Sequence, residues 1–562
     1  MEDLSSEKLR SMELPAPQDT WRSVLNEKIK IRECQDLSSE IEHSIPRTGP
    51  VKDATILWID HDKYNTQLVG SIPVQRGVPM LNENLDDAEE SQHVESWIEM
   101  FDSEVYSTIH DIRPENIGHD FTGWTSMYNG IEIDKVDMNE WLDDTIATVL
   151  NGHRPSRVLE IGSGTGMVLF NLGNDLQSYV GIDPSSNAIQ FVEKTAKSIP
   201  ALAGKVCMYQ GTAVDIGQLR QPLNANLVVL NSVVQYFPSQ EYLFMVIKGL
   251  LQVEGVETIF FGDVRSHALH REFLATRALH MAGGKGTKAD IRRMIANLGD
   301  AEAELLVDPG FFTTLPSRLP DRIRHIEVLP KKMKATNELS CYRYAAVIHV
   351  KSQDQDDLEI RQVAHDEWID FVARGLDPES LLQHLKIADG LSDIAVSNIP
   401  NKKTIFSRCL VDSLDGPWED AIDEHLWVHW VQQEAQQRPS LSAIELFEIA
   451  QNTGYRVEIS WNRQHSLHGG LDAIFHRRQP KNGNERLMFH FPTDHEERPS
   501  NNLSNNPLRP QSMQGTQSQS DELEVIRKED VEKIWTWNCE VPLAFERCLH
   551  VLFEEQVLAR PS

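Results

Sequence analysis

Residues 157–183 read RVLEIGSGTGMVLFNLGNDLQSYVGID, and this stretch decides the fold. The short apolar run Val158-Leu159-Glu160-Ile161 predicts a buried strand. Gly162, Gly164 and Gly166 follow in a tight turn, then Met167, Leu169, Phe170 and Leu172 at helical spacing. A second strand, Tyr179 to Ile182, ends on Asp183. Strand, glycine turn, helix, strand and acid make a nucleoside-binding α/β unit. Bare backbone lets a ligand approach closely, and an acid at the second strand's tip can accept both hydroxyls of a ribose.

Spacing narrows the ligand. Dinucleotide sites use G-x-G-x-x-G, whose third glycine packs helix on strand. Here glycine stands at every second position, with Glu160 two residues before the first. That pattern resembles S-adenosylmethionine (SAM) methyltransferases, whose cofactor has no pyrophosphate to seat. The rival reading is a glycine-rich turn in another α/β fold.

The alternation continues downstream. A helix over Ser186–Ser198 leads to strand Lys205–Gln210, which ends at Thr212-Ala213-Val214-Asp215. Strand Asn226–Leu230 ends at Asn231-Ser232-Val233-Val234-Gln235-Tyr236. Helix Gln240–Leu251 precedes strand Thr258–Phe261, which ends at Asp263 and Arg265. Helices then fill His267–Leu298, and two late strands follow, Ile323–Leu329 and Tyr342–Val350. Strands alternating with helices predict an α/β, doubly wound, Rossmann-like sheet. Ligands of such sheets sit at the carboxyl ends of the strands. That rule gathers the glycine turn, Asp183, Thr212–Asp215, Asn231–Tyr236 and Asp263–Arg265 at one edge.

Composition sets the outer bounds. The chain has 562 residues, enough for several domain-sized units. A formal charge of -31 argues against nucleic acid as substrate, and the one modest basic cluster, Lys331-Lys332-Met333-Lys334, reads as a solvated turn. The six cysteines form no C-x-x-C pair, as expected of reduced thiols in a cytoplasmic protein. No run is apolar enough for a signal peptide or a membrane span. His425 and His429 share a helix face, but without a third ligand no metal is expected.

Several stretches together resemble the N-methyltransferase domain embedded in adenylation domains of fungal nonribosomal peptide synthetases. They are DFTGWTSMYNG (120–130), MNEWLDDTIATVLNGHRP (138–155), VLEIGSGTGMVLFNLG (158–173), LVVLNSVVQYFPSQEYL (227–243), IFFGDVRS (259–266), LLVDPGFFT (305–313) and ATNELSCYRYAAVIHV (335–350). The likeness continues to about residue 495 through TIFSR, LSAIEL, HGGLDAIFHR and FPTDH. Residues 28–32, KIKIR, resemble the hinge that opens an adenylation domain's small lobe, although Glu33-Cys34 replace the family glycine. The tail VEKIWTWNCEVPLAFERCLHVLFEEQ is similar to the start of a following adenylation domain.

The resemblance implies a class I SAM-dependent methyltransferase domain over 94–350 and a mixed α/β extension over 351–495. Helical pieces of the extension are read at Trp368–Arg374 and Ala443–Gln451, and strands at Ile394–Val396, Tyr455–Trp461 and Arg486–Phe491. Around these lie an adenylation-lobe remnant (1–80), an acidic linker (81–93), a disordered Asn/Ser/Gln/Pro-rich linker (496–522) and a helical tail (523–562). Small α+β regions thus flank the doubly wound sheet. The implied enzyme methylates the α-amine of an aminoacyl thioester on a carrier protein supplied in trans. The alternatives are an inactive remnant that docks or binds SAM weakly, and a methyltransferase for a small-molecule amine.

Expected site roles follow. Gly162, Ser163, Gly164 and Gly166 surround the methionine part of SAM, and Asp183 holds its ribose. Glu160 either complements the cofactor's positive charge or serves nearby backbone amides. Ala213 and Asp215 meet the adenine, with an N-cap as the rival role for Asp215. Asn231, Ser232, Gln235 and Tyr236 end the fourth strand, where the methyl should point. Tyr236 offers either a cation–π face or core packing. Trp124 and Tyr128 form a lid, with simple hydrophobic packing as the rival, and Asn337 and Glu338 bind or deprotonate the substrate amine, with a surface turn as the rival. Asp263 and Arg265 pair with each other.

Overall fold

The computed structural model describes residues 55–60, 66–71, 83–150, 155–173, 175–218, 223–351, 360–388, 393–416, 426–479, 486–494 and 503–509. The chain divides into two compact units, Met1–Asn84 with Asp521–Ser562, and Leu85–Ser520. In the first, strands β1 (Thr55–Asp60) and β2 (Thr66–Ser71) pair antiparallel with Thr55 opposite Ser71. The rest of the expected adenylation remnant, and the helical tail after 522, lie outside the described residues.

The second unit is built on seven strands: β3 (Arg157–Ile161), β4 (Ser178–Asp183), β5 (Val206–Gln210), β6 (Leu227–Asn231), β7 (Thr258–Arg265), β8 (Ile323–Pro330) and β9 (Arg343–Val350). Their order is β5-β4-β3-β6-β7-β9-β8. The first five run parallel, while β9 is antiparallel to both β7 and β8. This is the expected doubly wound, Rossmann-like sheet, closed on one side by an antiparallel pair. Central parallel strands are apolar on both faces because helices cover both. Leu159, Ile161, Val228, Leu230, Ile259 and Phe261 face one core. Val158, Leu227, Val229 and Phe260 face the other.

Helices α1 (Glu83–Met100) and α2 (Lys135–Leu150) precede the sheet, and α3 (Met167–Asn171) follows the glycine turn. Of the crossovers, α4 (Ser186–Ser198) covers one face through Ala188, Phe191, Val192 and Ala196. On the other face lies α5 (Gln240–Leu250), with Leu243, Val246, Ile247 and Leu250. Serine caps start both helices: Ser185 Oγ accepts from the Ala188 amide, and Ser239 Oγ from that of Tyr242. Then come α6 (His270–Met281), α7 (Lys288–Asp300), α8 (Pro309–Thr313) and the single turn α9 (Glu338–Tyr342).

The described residues of 360–494 form two small sheets and four helices. Strands β10 (Ile360–Gln362) and β15 (Met488–His490) pair parallel. Strands β11 (Ile369–Asp370), β12 (Ile394–Ile399), β13 (Arg456–Ser460) and β14 (Leu471–His476) stand in the order β11-β12-β14-β13. The helices are α10 (Pro378–Ile387), α11 (Ile405–Asp415), α12 (Trp427–Gln437) and α13 (Ala443–Thr453). The larger of these sheets continues the core of the seven-stranded sheet: the Trp461 amide donates to the carbonyl of Val328 on β8 at 2.9 Å.

Five expectations change. The acidic stretch read as a linker lies mostly within α1, since no proline or glycine interrupts it, and Glu90 accepts from Ser239 Oγ at 2.6 Å. Trp368–Arg374, read as a helix, holds the short β11 and a turn. The run 471–476 is a fully buried strand, where no strand was expected. Lys331 is no solvated side chain: it is 4% exposed and donates to Thr145 Oγ1, and Met333 is buried.

The fifth change concerns the stretch read as disordered, of which residues 503–509 are described. They form a strap on segment 304–308. The Asp308 amide donates to the Leu503 carbonyl at 2.7 Å, the Leu306 amide donates to Asn505 Oδ1 at 2.7 Å, and Leu503 is 4% exposed. One buried leucine plus paired backbone groups offset the ordering entropy that composition alone leaves uncompensated. Leu503→Ala should therefore loosen the strap by about 2 kcal/mol. Hydrogen exchange at the Asp308 and Leu306 amides should speed up by about 30-fold, while amides of β6 stay protected.

Candidate functional site

The carboxyl ends of β3, β4 and β6 open onto a cavity of about 390 Å³, within the usual range for a bound small molecule of roughly 300–1,000 Å³. Its floor is the glycine turn. Gly162, Gly164 and Gly166 all hold left-handed backbone, at φ 73°, 49° and 79°. A Cβ on Gly162 would come within 2.4 Å of Val233 Cγ2, and one on Gly164 within 2.7 Å of the Tyr106 hydroxyl. No side chain fits at either position without displacing the wall.

Asp183 closes the turn. Its Oδ2 accepts from the Gly164 amide at 2.8 Å, and its Oδ1 accepts from the Ser185 amide at 2.9 Å. Burial drives its carboxyl up to about 6, against the lowering effect of those two amides. Glu160 accepts from the Tyr179 hydroxyl at 2.5 Å, and burial pushes its carboxyl up to about 8. It is therefore largely protonated at neutral pH, which makes it a partner of a phenol rather than a counter-charge.

Four buried polar atoms of cavity-lining residues lack a partner among the described residues: Ser163 Oγ, Thr165 Oγ1, Asn231 Oδ1 and Gln235 Oε1. Leaving such atoms unpaired costs about 1–3 kcal/mol each, so a cavity that gathers four of them suits a polar ligand.

Aromatic rings make the roof. Trp97 and Phe101 lie against Tyr236, with ring centroids 4.8 and 5.0 Å away, and Tyr106 lies against Phe101. Asp102 anchors this segment to the start of α4. Its Oδ1 accepts from Ser185 Oγ at 2.6 Å and from the Asn187 amide at 3.3 Å, where the helix dipole favours an anion. Trp124 completes the wall, with its ring centroid 4.5 Å from that of Trp141.

A methyltransferase-domain family model matches residues 159–256. The chain is 54% identical over 500 residues (88% of its length) to nonribosomal peptide synthetase TES of Alternaria alternata. It is 48% identical over 87% of its length to nonribosomal peptide synthetase dtxS1 of Metarhizium robertsii, and 44% identical over 86% to the beauvericin nonribosomal cyclodepsipeptide synthetase of Gibberella fujikuroi. It spans only 10%, 6% and 15% of those three proteins. Among solved structures, N-methyltransferase NodS from Bradyrhizobium japonicum, bound to S-adenosylhomocysteine, is 13% identical with a TM-score of 0.28, covering 44% of this chain and 99% of that one.

Residues 159–256 belong to a SAM-dependent methyltransferase domain, and the sequence around them is similar to fungal peptide synthetases. The cavity fits its cofactor: glycine backbone, a buried carboxylate and orphaned polar atoms line one continuous space.

Of the residues expected at the methyltransferase site, Trp124, Glu160, Gly162, Ser163, Gly164, Asp183, Ala213, Asn231, Ser232, Gln235 and Tyr236 line the cavity. Gly166 instead starts α3. Asp215 closes a turn by accepting from the Thr212 amide and hydroxyl, both at 2.8 Å. Tyr128 lies over Phe273 and His280, away from Trp124. Asn337 is the cap of α9, with its Oδ1 accepting from the Leu339 and Ser340 amides. Glu338 accepts from the Met127 amide at 2.9 Å and lines a separate cleft of about 10 Å³, so neither residue reaches the cavity. Side chains on a short capped helix point where the cap requires, which spacing alone does not reveal.

Asp263 and Arg265 do not pair with each other. Arg265 binds Glu302 through two contacts, 2.8 and 2.7 Å, and Glu304 through one of 2.7 Å. Asp263 accepts from Trp141 Nε1 at 2.9 Å, Ser232 Oγ at 3.1 Å and Arg343 at 2.5 Å, with Lys331 Nζ at 4.0 Å. Burial alone would raise its carboxyl, but Arg343 and Lys331 hold it below the usual range. Asp263 sits at a bulge in the β7–β9 pairing with φ 60°, and bulges of this kind re-aim side chains beside functional sites. Tyr106, Trp97, Phe101, Thr165, Glu304 and Arg343 line the cavity without having been singled out from the sequence. In the sequence, Trp97, Met100 and Tyr106 recur at roughly helical spacing, a pattern that does not tell which side they cover.

Gly164→Ala should weaken SAM binding more than about tenfold by calorimetry, because it strains the turn and meets the Tyr106 hydroxyl. Adding Tyr106→Phe removes the atom that is struck and should recover part of the loss. Equal losses in both backgrounds would refute the clash.

Proposed function

We propose that this chain transfers a methyl group from SAM to the α-amine of an aminoacyl thioester carried by a peptide synthetase carrier domain. The observation that carries the methyl-transfer reading is the Asp183–Gly164 contact beneath a cavity edged by orphaned polar atoms. Asp183 accepts from the ribose hydroxyls with the lone pairs its two amide contacts leave free. Gly162, Ser163 and Gly164 flank the methionine part, and Ala213 borders the adenine. Asn231 and Gln235 bind polar groups of the same ligand through their free oxygens. The bound cofactor supplies an electrophilic methyl group.

The chain's own residues supply alignment and a dry site. Positioning of this kind is worth up to about 7–11 kcal/mol. A free α-amine has a pKa of about 7.7–8.0, so a reactive neutral fraction exists without a strong base. Trp97, Phe101, Tyr106 and Trp124 exclude water above the reacting atoms. The amine and carrier assignments draw support from the extent of the similarity to peptide synthetases and from the carboxylate and guanidinium in the cavity wall.

Two measurements test this reading. The full chain with methyl-labelled SAM should label an aminoacyl thioester mimic and leave the free amino acid unlabelled. A mimic makes the result independent of which polypeptide holds the carrier. Transfer to the free amino acid instead would favour a small-molecule methyltransferase, and absence of SAM binding would leave a docking remnant.

The second measurement follows from the Asp183 carboxyl near 6. Its anion is present above that pH and lost below it. Since hydroxyl donors prefer the anion, SAM affinity should be steady above about pH 6.5 and fall about tenfold by pH 5. Asp183→Asn should bind more weakly at pH 7 and show no such fall. The window from 5 to 7 also avoids Glu160, which titrates near 8.

A further inference from the structure

The cavity wall meets a row of alternating charges to which the cofactor roles above assign nothing. Glu302, Arg265, Glu304, Arg343 and Asp263 follow one another, each beside the next. Two of the five, Glu304 and Arg343, line the cavity. Glu302 is held by two contacts to Arg265, and its other electrostatic neighbours are His270 and Arg277. Glu304 differs. Its Oε2 accepts once from Arg265, its Oε1 accepts nothing among the described residues, and its side chain is 20% exposed. Tyr236, itself in the cavity wall, feels both Glu304 and Arg343.

The position of Glu304 is built rather than incidental. The Leu305 amide next to it donates to the Gln235 carbonyl at 2.8 Å, tying the segment to the end of β6. From the other side, Asn505 Nδ2 donates to the Glu304 carbonyl at 2.9 Å. The strap therefore clamps the backbone that carries this carboxylate, while Arg265 fixes its side chain.

We propose that Glu304 is the substrate-amine subsite of the methyltransferase, with Arg343 beside it receiving the neighbouring carbonyl oxygen. An α-aminoacyl thioester presents an ammonium and a carbonyl oxygen a few bonds apart, and a carboxylate next to a guanidinium complements that pair. A free amine without the acyl group satisfies only one of the two. The bound ammonium first yields one proton to Glu304 and on to solvent; the freed lone pair then forms the N–C bond while the C–S bond breaks and its electron pair leaves on sulfur. Positive charge thereby moves onto nitrogen, next to Glu304, and the proton that nitrogen then sheds passes to the carboxylate and on to solvent. This assignment rests on the aminoacyl reading above and places its substrate.

The test uses the full chain. Glu304→Gln keeps the acceptor for Arg265 and removes the charge. SAM affinity should stay within about twofold of wild type, while kcat/KM for the thioester mimic falls by about 100-fold. Wild-type binding in the presence of S-adenosylhomocysteine gives a check that needs no variant. The aminoacyl mimic should bind about tenfold more tightly than its deaminated isostere, as a charge-assisted contact requires. Equal binding of the two, or a Glu304→Gln variant that methylates as wild type does, would overturn the assignment while leaving the methyltransferase reading intact. A wild-type chain that binds SAM but never labels the mimic would remove the substrate reading and this subsite together.

Discussion

The hydrogen bond from the Gly164 amide to Asp183 joins two neighbouring strands at the point where both stop. It requires a backbone bend without side chains, and the chain supplies one with left-handed glycines at 162, 164 and 166. Any residue with a Cβ at the first two would push Val233 or Tyr106 out of place. The cavity is thus held open by what the turn lacks. Its carboxylate is kept largely anionic at neutral pH by two backbone amides that oppose the effect of burial.

The roof is coupled to the same carboxylate. Asp102 sits on Ser185, and Ser185 donates its amide to Asp183. The charge of Asp102 is among the influences that raise Asp183. The aromatic wall of Trp97, Phe101 and Tyr106 is therefore anchored two hydrogen bonds from the acid at the cavity floor. A ligand that engages Asp183 acts on a group already bonded into the anchor of the roof.

Legibility divides along a physical line. The sheet and its strand ends were readable because central parallel strands are short apolar runs between turn signals. Most of the expected cavity residues lie at those ends for the same reason. What escaped was everything fixed by contacts distant in sequence. Asn337 and Glu338 stand beside a strand end, yet a capping box consumes the one and the Met127 amide the other. Glu304 precedes the apolar pair Leu305-Leu306 with no periodicity to mark it, and its partners lie 39 residues before and 201 after. Lys331 looked like part of a surface cluster because its buried partners Thr145 and Asp263 are invisible to local pattern.

Those distant contacts explain why residues 360–509 belong to the same compact unit as the methyltransferase sheet. Lys403 Nζ donates to the carbonyls of Lys334 and Ala335, and its own carbonyl accepts from Cys341 Sγ. Ser266 donates to Gln464 at 2.6 Å, and Asn505 holds segment 304–306. The contacts at Cys341, Ser266 and 304–306 fall on segments next to Arg343, Arg265 and Glu304. The cofactor end of the cavity is made by the sheet itself, from residues close together in sequence. The cavity's charged wall is made by Glu304 and Arg343, whose backbones are braced from the extension. A methyltransferase sheet alone would keep its glycine turn and Asp183, but its charged row would lose the supports that set its geometry.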